Sequence, residues 1–150
     1  MTTLLNTIEV GSNALMSGEY SSVKLVPSLK KGIRFIVDGI SIPACLENVE
    51  RTDHCVTLGS GNATISLVEH FMAACAICQI DALDVYCSYN EMPILDGSAK
   101  SWVDKFDEVG IEYSMRDRWG LKAPVSYLNG KTHLVILPSD KLEISYAVNY

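Results

Sequence analysis

The pattern of apolar and polar residues predicts antiparallel strands in the first third of the chain. Across residues 20–26 the odd-numbered side chains face one way and the even-numbered side chains face the other. The apolar runs 33–37 and 40–42 flank Asp38-Gly39, a dipeptide typical of two-residue β-hairpin turns. This third of the chain is therefore expected to form an antiparallel sheet.

Weaker signals extend the β-structure on both sides. Residues 4–10 alternate weakly, and the polar run 11–13 predicts a turn after them. Residues 46–61 lack a clear period and predict a loop with a short strand at 55–58, whereas the β-branched and aromatic run 82–87 predicts a further strand.

A first helix is predicted from Ser66 to about Gln79. Ser66 and Glu69 have the spacing of a capping box, in which each side chain accepts a hydrogen bond from the other residue's backbone N–H. Four apolar residues share one face at helical spacing: Ile65, Val68, Met72 and Ala76. Because the turns that follow are also apolar, we expect this helix to be covered on more than one side.

A second helix is predicted from Ser98 to about Val109. Ser98 is a suitable N-cap residue, and Gly110 is a natural C-terminal stop. Trp102, Phe106 and Val109 would form its apolar side.

The residues after the polar segment 112–118 again have the alternating pattern of β-strands. The polar segment itself predicts a domain boundary between residues 118 and 119. Strands are expected at 123–128, 132–137 and 142–150, with a turn at Asn129-Gly130. Three strands without a covering helix would be an incomplete layer.

Composition and charge narrow the class of protein. The chain has 150 residues, 48% of them hydrophobic, and a net charge of −6. A negative chain without a cluster of Lys and Arg is not expected to bind nucleic acid. We expect no secretory signal and no transmembrane segment, and therefore a cytoplasmic protein.

The five cysteines are an odd number, which favours free thiols. Cys75 and Cys78 match a CxxC pattern inside the first predicted helix. Without a second such motif, buried small side chains explain them better than a redox or zinc site.

Glu69 and His70 are the main candidates for chemistry. Glu69 could simply cap the helix while His70 makes a local hydrogen bond; alternatively, the pair could be a general base beside a metal ligand. His54, next to Asp53 in the predicted loop, could be functional or merely solvated.

Several motifs together resemble the zinc-dependent UDP-3-O-acyl-N-acetylglucosamine deacetylases of lipid A synthesis. Residues 66–70 (Ser-Leu-Val-Glu-His) are similar to the family's helix start, and residues 91–99 (Glu-Met-Pro-Ile-Leu-Asp-Gly-Ser-Ala) to a second family motif. Residues 17–20 and 32–44 resemble its early turn and strands, and residues 138–146 the opening sheet of its second domain.

The resemblance implies an α+β fold of two similar domains, each an antiparallel β-sheet with helices on one face. Residues 1–118 would be the first domain, and residues 119–150 the beginning of an incomplete second one. The active site would lie in the cleft between domains.

The resemblance also implies roles for single residues. Glu69 would be the general base, His70 a zinc ligand and His54 a site-lining residue, while Asp96, Gly97 and Ser98 would be structural. Zinc would assist hydrolysis of the acetamide of UDP-3-O-acyl-N-acetylglucosamine, releasing acetate.

The chain departs from the family pattern in three ways, one of which is that residues 10–15 contain more polar residues than the family turn. The family's turn histidine is replaced by Met16, and the remaining zinc ligands, which the family takes from its second domain, have no counterpart. Three interpretations follow: the first part of a deacetylase that is inactive alone, half of a split enzyme completed by a separate chain with the second domain, or a degenerate relative that binds without catalysis.

Overall fold

The computed structural model of the chain describes residues 1–114 and 120–148. The chain divides into two compact units, residues 1–115 and 116–150. The boundary predicted between residues 118 and 119 lies outside the described residues.

The first unit has the α+β class that the sequence predicts. Its described residues form, in order, β1 (Thr3–Leu4), β2 (Ile8–Asn13), β3 (Tyr20–Pro27), β4 (Gly32–Val37), β5 (Ile40–Pro43), β6 (Val49–Arg51), β7 (Thr57–Ser60), β8 (Ala63–Ser66), α1 (Glu69–Ile77), β9 (Ala82–Cys87), α2 (Ala99–Val109) and β10 (Ile111–Glu112). A short 3₁₀-helix, Leu46–Asn48, lies between β5 and β6.

The main sheet has five strands in the order β2-β3-β9-β4-β5. All neighbours are antiparallel except β4 and β9, which are parallel. The alternation predicted for β3 is confirmed, since Ser21, Val23 and Leu25 are buried. The side chains of this buried face form one wall of the core.

Of two turns predicted in the first third of the chain, one is confirmed and the other is wrong. Asp38 and Gly39 both have positive φ and join β4 to β5, as predicted. The turn expected at residues 11–13 is wrong, because these residues continue β2 in register with β3. Since β2 is the edge strand, its polar residues need not be buried and do not end the strand.

A second, three-stranded sheet has the order β6-β7-β8. The strand predicted at 55–58 is found two residues later, as β7. The strand β8 was not predicted, because Ser66 was assigned to the first helix. In the structure, Gly61 and Asn62 turn the chain from β7 into β8, and the helix starts only after β8.

The two helices pack together around Phe71 of α1. The Phe71 ring lies 5.8 Å from the ring of Phe35 on β4, and 5.1 Å and 5.8 Å from those of Trp102 and Phe106 on α2. All three contacts are edge-to-face, a favourable geometry for aromatic pairs. Phe71 thus joins both helices to the main sheet.

The predicted apolar face of the first helix is wrong. The buried helix residues are Phe71, Ala74 and Cys75, whereas Ala76 is exposed and Ile65 belongs to β8. The exposed side chains also contradict the expectation that the helix is covered on several sides. Ile65 and Val68 precede the helix, so they do not share its 3.6-residue period and do not mark its buried face.

The second helix agrees closely with the sequence. Ser98 Oγ accepts a hydrogen bond from Lys100 N–H, Trp102 and Phe106 are buried, and Gly110 has φ +83° directly after the last turn. Neither α1 nor α2, the two helices of the described residues, is long and apolar enough to cross a membrane.

We expect Ser98→Ala to lower the free energy of unfolding by about 1 kcal/mol, because the N–H of Lys100 loses its acceptor. Ser98→Thr, which retains a hydroxyl that accepts from Lys100 and donates to Asp96, should unfold at nearly the wild-type urea concentration. Equal losses in the two variants would show that the capping bond is not the cause.

The beginning of the chain is anchored inside the first unit. β1 pairs with β10, and Thr2 donates its backbone N–H to the Asp81 carboxylate at 2.7 Å. Thr3 Oγ1 donates to the carbonyl of Ala82. These bonds explain why two threonines are almost fully buried.

The second unit contains the hairpin of β11 (Val125–Asn129) and β12 (Thr132–Ile136). The predicted hairpin is confirmed, with the turn at Gly130 and Lys131. The strand predicted at 142–150 is wrong for the described part, 142–148, which has no regular structure. Every described residue from 120 to 148 is exposed, so this part has no core of its own.

Candidate functional site

Glu69 and His70 are the first two residues of α1 and are both half-buried. The predicted capping box is not formed, because Ser66 is held in β8, where its backbone N–H donates to the Asn90 carbonyl and its hydroxyl contacts Thr57. Leu67 then has φ +63°, a left-handed conformation that is uncommon for a large side chain. This turn at Leu67 places Glu69 at the start of the helix.

The Glu69 carboxylate is held by the loop that precedes β7. Its Oε2 accepts a hydrogen bond from the backbone N–H of Val56 at 3.0 Å. The Val56 carbonyl in turn accepts from the N–H of Val68, at 3.4 Å. A carboxylate held on one oxygen retains lone pairs on the other, so Glu69 can still accept a proton.

His70 supplies one nitrogen-donor side chain beside Glu69. Within residues 1–114 and 120–148, no group of three or more His, Cys, Asp or Glu side chains is arranged to hold a metal ion. Because a catalytic zinc usually has three protein ligands, these residues do not make up a zinc site by themselves.

His54 is exposed in the loop that leads to Val56, with φ +67°. No hydrogen bond joins it to Glu69 or His70 in the described part of the chain. The structure thus brings the His54 loop to Glu69 through the Val56 backbone, and not through the imidazole.

The motif 96–98 forms the turn before α2. Asp96 Oδ1 accepts from both the N–H and the hydroxyl of Ser98, each at 2.9 Å, and Gly97 has φ +81°. Hydrogen bonds from Ser101 and then Ser98 hold the pKa of Asp96 below its usual value. These local contacts support the structural role expected for the motif, which stays a prediction.

Glu91 is a buried carboxylate that sequence reasoning missed. Its Oε1 accepts from the N–H of Met16 at 2.6 Å, and its Oε2 from the N–H of Ser17 at 3.1 Å. Ser21 Oγ donates to the Glu91 carbonyl. Glu91 therefore fixes the turn between β2 and β3.

An apolar pocket of about 270 Å³ lies beside Glu69. Its walls come from the end of β5, the 3₁₀-helix, β6, β7 and α1, and Glu69 is the one carboxylate among its lining side chains. Most of these side chains are aliphatic: Ala44, Leu46, Val49, Val56, Leu58 and Val68.

The cysteines are free, as predicted. Cys75 and Cys78 are buried, and burial raises the pKa of both thiols. Burial also raises the pKa of Cys87 to about 12. Thiols in this state are poor nucleophiles and metal ligands, which agrees with a packing role for the CxxC pair.

Comparison with known proteins gives a consistent result. The family model LpxC, described as UDP-3-O-acyl N-acetylglycosamine deacetylase, matches residues 1–150. A UDP-3-O-acyl-N-acetylglucosamine deacetylase of Chlamydia muridarum is 38% identical over 119 residues, which are 78% of this chain and 42% of that protein.

Two further deacetylases with the same name match nearly the whole chain. The protein of Chlamydia pneumoniae is 35% identical over 99% of this chain and 55% of its own length. The protein of Thermosynechococcus vestitus is 30% identical over 99% of this chain and 54% of its own length. The chain therefore spans about half the length of the curated relatives it matches.

Proposed function

Because this chain belongs to the LpxC family of UDP-3-O-acyl N-acetylglycosamine deacetylases, we propose that it supplies the general base of such an enzyme. The observation that carries the proposal is the geometry of Glu69, which starts α1 beside His70 and is held by the Val56 N–H. The proposed substrate is a UDP-3-O-acyl-N-acetylglucosamine, the compound after which the relatives are named.

The proposed reaction is hydrolysis of the substrate's acetamide. Glu69 takes a proton from the attacking water on the carboxylate oxygen that Val56 does not hold, and passes the proton to the departing amine. Acetate and a free amine are the products. The Val56 N–H would keep the carboxylate in one orientation, so that its free oxygen faces the water throughout.

His70 is proposed as one zinc donor, and His54 as a residue near the site. The family is zinc-dependent, and the described residues do not complete a metal site. The other donors would have to come from polypeptide outside the described residues.

We propose that this additional polypeptide corresponds to the part of the relatives that the chain does not match. In the second unit, Tyr127, Leu134 and Ile136 are each about half-exposed or more. Exposed apolar strands of this kind need another layer to bury them. This layer would be either a continuation of this chain or a separate subunit.

We also propose a cytoplasmic location, which the free thiols support.

A second candidate function is binding without catalysis. Met16 replaces the histidine of the family turn, so that turn carries a thioether in place of an imidazole. If the turn histidine is essential to the reaction, the chain would retain the fold and the ligand but not turnover.

A chimeric enzyme would decide between the two functions. This chain would replace the matched part of the Chlamydia pneumoniae relative, and acetate release from the UDP-linked substrate would be measured. We expect activity that falls by about 10²–10⁴-fold in Glu69→Gln, the usual contribution of a general base. Glu108→Gln, an exposed acid on α2, is the control and should retain activity.

A folded chimera that releases no acetate, but becomes active with Met16→His, would support the second candidate function, binding without catalysis. A folded chimera that is inactive with either residue at position 16 would contradict the deacetylase proposal. Thermal unfolding of each chimera establishes that it is folded.

A further inference from the structure

We propose that Thr57 and Ser66 are positioning residues of the candidate site. The hydrogen bond between their hydroxyls fixes the pairing of β7 with β8, and this pairing holds the backbone N–H of Val56 against the carboxylate of Glu69. The consequence for turnover rests on the proposed function, whereas the consequence for the hydrogen bonds around Glu69 does not.

The Thr57–Ser66 pair closes the end of the β7–β8 hairpin that lies nearest to α1. The two residues are directly opposite each other in the antiparallel ladder, and their hydroxyl oxygens are 3.1 Å apart. Thr57 is 3% exposed, so its hydroxyl depends on partners within the protein. Cys55 Sγ also lies 3.9 Å from Thr57 Oγ1, but a thiol is a weak hydrogen-bonding group. The Ser66 hydroxyl is therefore the stronger partner.

The groups that hold Glu69 lie next to this pair in the chain. Val56, directly before Thr57, donates its N–H to Glu69 Oε2 at 3.0 Å, and its carbonyl accepts from the N–H of Val68 at 3.4 Å. Val68 is the N-cap residue of α1, and among the described residues its side chain makes no capping bond. The peptide groups of Val56, and not a local cap, thus hold the start of the helix.

The turn between β8 and α1 needs firm contacts on its strand side. Directly after Ser66, Leu67 has φ +63°, an unfavourable conformation that persists only where the surrounding structure imposes it. The Ser66 backbone donates to the Asn90 carbonyl and accepts from the Met92 N–H, while its hydroxyl is fixed by Thr57. Loss of the hydroxyl bond would leave Ser66 anchored on one side only, and the strained turn could then relax.

Amide hydrogen exchange of the 150-residue chain, followed by NMR, tests the pair directly. Thr57→Val removes the hydroxyl and keeps a similar side-chain volume. We expect the Val56 amide to exchange at least about tenfold faster than in the wild type, the lower end of the effect of losing a hydrogen bond to a charged group. The Phe35 amide of the main sheet should be unchanged. Glu69→Ala, which removes the acceptor, gives the exchange rate of the released amide.

Three further variants separate the hydroxyl bond from a general loosening of the sheet. Ser66→Ala should act like Thr57→Val, and the double variant should be no worse than either, because all three lose the same bond. Thr57→Ser keeps a hydroxyl and should restore slow exchange. Thr64→Val makes the same substitution on β8 opposite Gly59, which has no side chain to bond, and should behave like the wild type.

The chimera described above tests the consequence for turnover. Thr57→Val should lower kcat by about tenfold or more while KM stays within about twofold of the wild-type value, because a misplaced base affects the reacting state more than substrate binding. Thr57→Ser should recover most of the lost kcat. A rise in KM at unchanged kcat would contradict a positioning role.

Slow exchange of the Val56 amide in folded Thr57→Val and Ser66→Ala would overturn the proposal, as would equally fast exchange in Thr64→Val. Ser66→Ala carries the test if Thr57→Val does not fold. A chimera that is inactive with wild-type Thr57 counts against the proposed function alone, since exchange is measured on the 150-residue chain without turnover.

Discussion

Phe71→Ala should lower the free energy of unfolding of the first unit by about 3–5 kcal/mol, the usual range for removing a buried aromatic side chain. Phe71 is fully buried and its ring contacts Phe35, Trp102 and Phe106, so its removal leaves a cavity where α1, α2 and the main sheet meet. Surrounding side chains on three rigid elements can relax only in part to fill it.

Urea denaturation monitored by the fluorescence of the chain's tryptophans would measure this loss. The control is Ile77→Ala on the same helix, where the side chain is 62% exposed and truncation should change stability by only about 0.5 kcal/mol. Phe71→Leu should lie between the two, because it keeps part of the volume. A loss below about 1 kcal/mol in Phe71→Ala would contradict the central position assigned to this ring.

Glu91→Ala is expected to have the second-largest effect on stability, a loss of about 2–3 kcal/mol. The Glu91 side chain is buried, and both carboxylate oxygens accept from backbone N–H groups, those of Met16 and Ser17. Truncation leaves both donors without their acceptors and opens space beneath the turn. Glu91→Gln, which keeps one acceptor oxygen, should lose about half as much.

The local effect of Glu91→Ala can be separated from the global one by amide hydrogen exchange. The Met16 and Ser17 amides should exchange faster under conditions where the Phe35 amide of the central sheet does not. Glu19→Ala, which changes an exposed acid in the same turn, is the control. If the Met16 and Ser17 amides remain protected in Glu91→Ala, some other group holds the turn.

Elements whose signals are local could be predicted from the sequence. Asp38 and Gly39 suit a tight hairpin because both adopt positive φ at little cost, and Ser98 and Gly110 satisfy the two ends of α2 with nearby groups. Neither turn nor cap depends on residues far along the chain, so the residue types alone were sufficient.

The start of α1 could not be predicted, because distant residues decide it. Ser66 and Glu69 have capping-box spacing, but Ser66 is bound by Thr57 and Asn90, and Glu69 by Val56. The sequence thus points to the residues of the candidate site as a prediction, but it does not reveal the hydrogen-bond partners that the structure gives them.

The hydrogen-bond partners of Glu91 could not be predicted from the sequence either. Its partners, Met16 and Ser17, precede it by 75 and 74 residues, and a glutamate in a polar turn is more often exposed. Only the folded chain brings the carboxylate to these backbone groups.

The strand order of the main sheet also determines when the molecule can fold. β3 and β4 are consecutive in the chain, yet β9 lies between them and pairs with both. During synthesis on the ribosome, β3 and β4 therefore each keep one edge unpaired until residues 82–87 emerge. Such late, distant pairing slows folding and leaves nascent chains open to aggregation, so chaperone demand should be greatest before β9 is available.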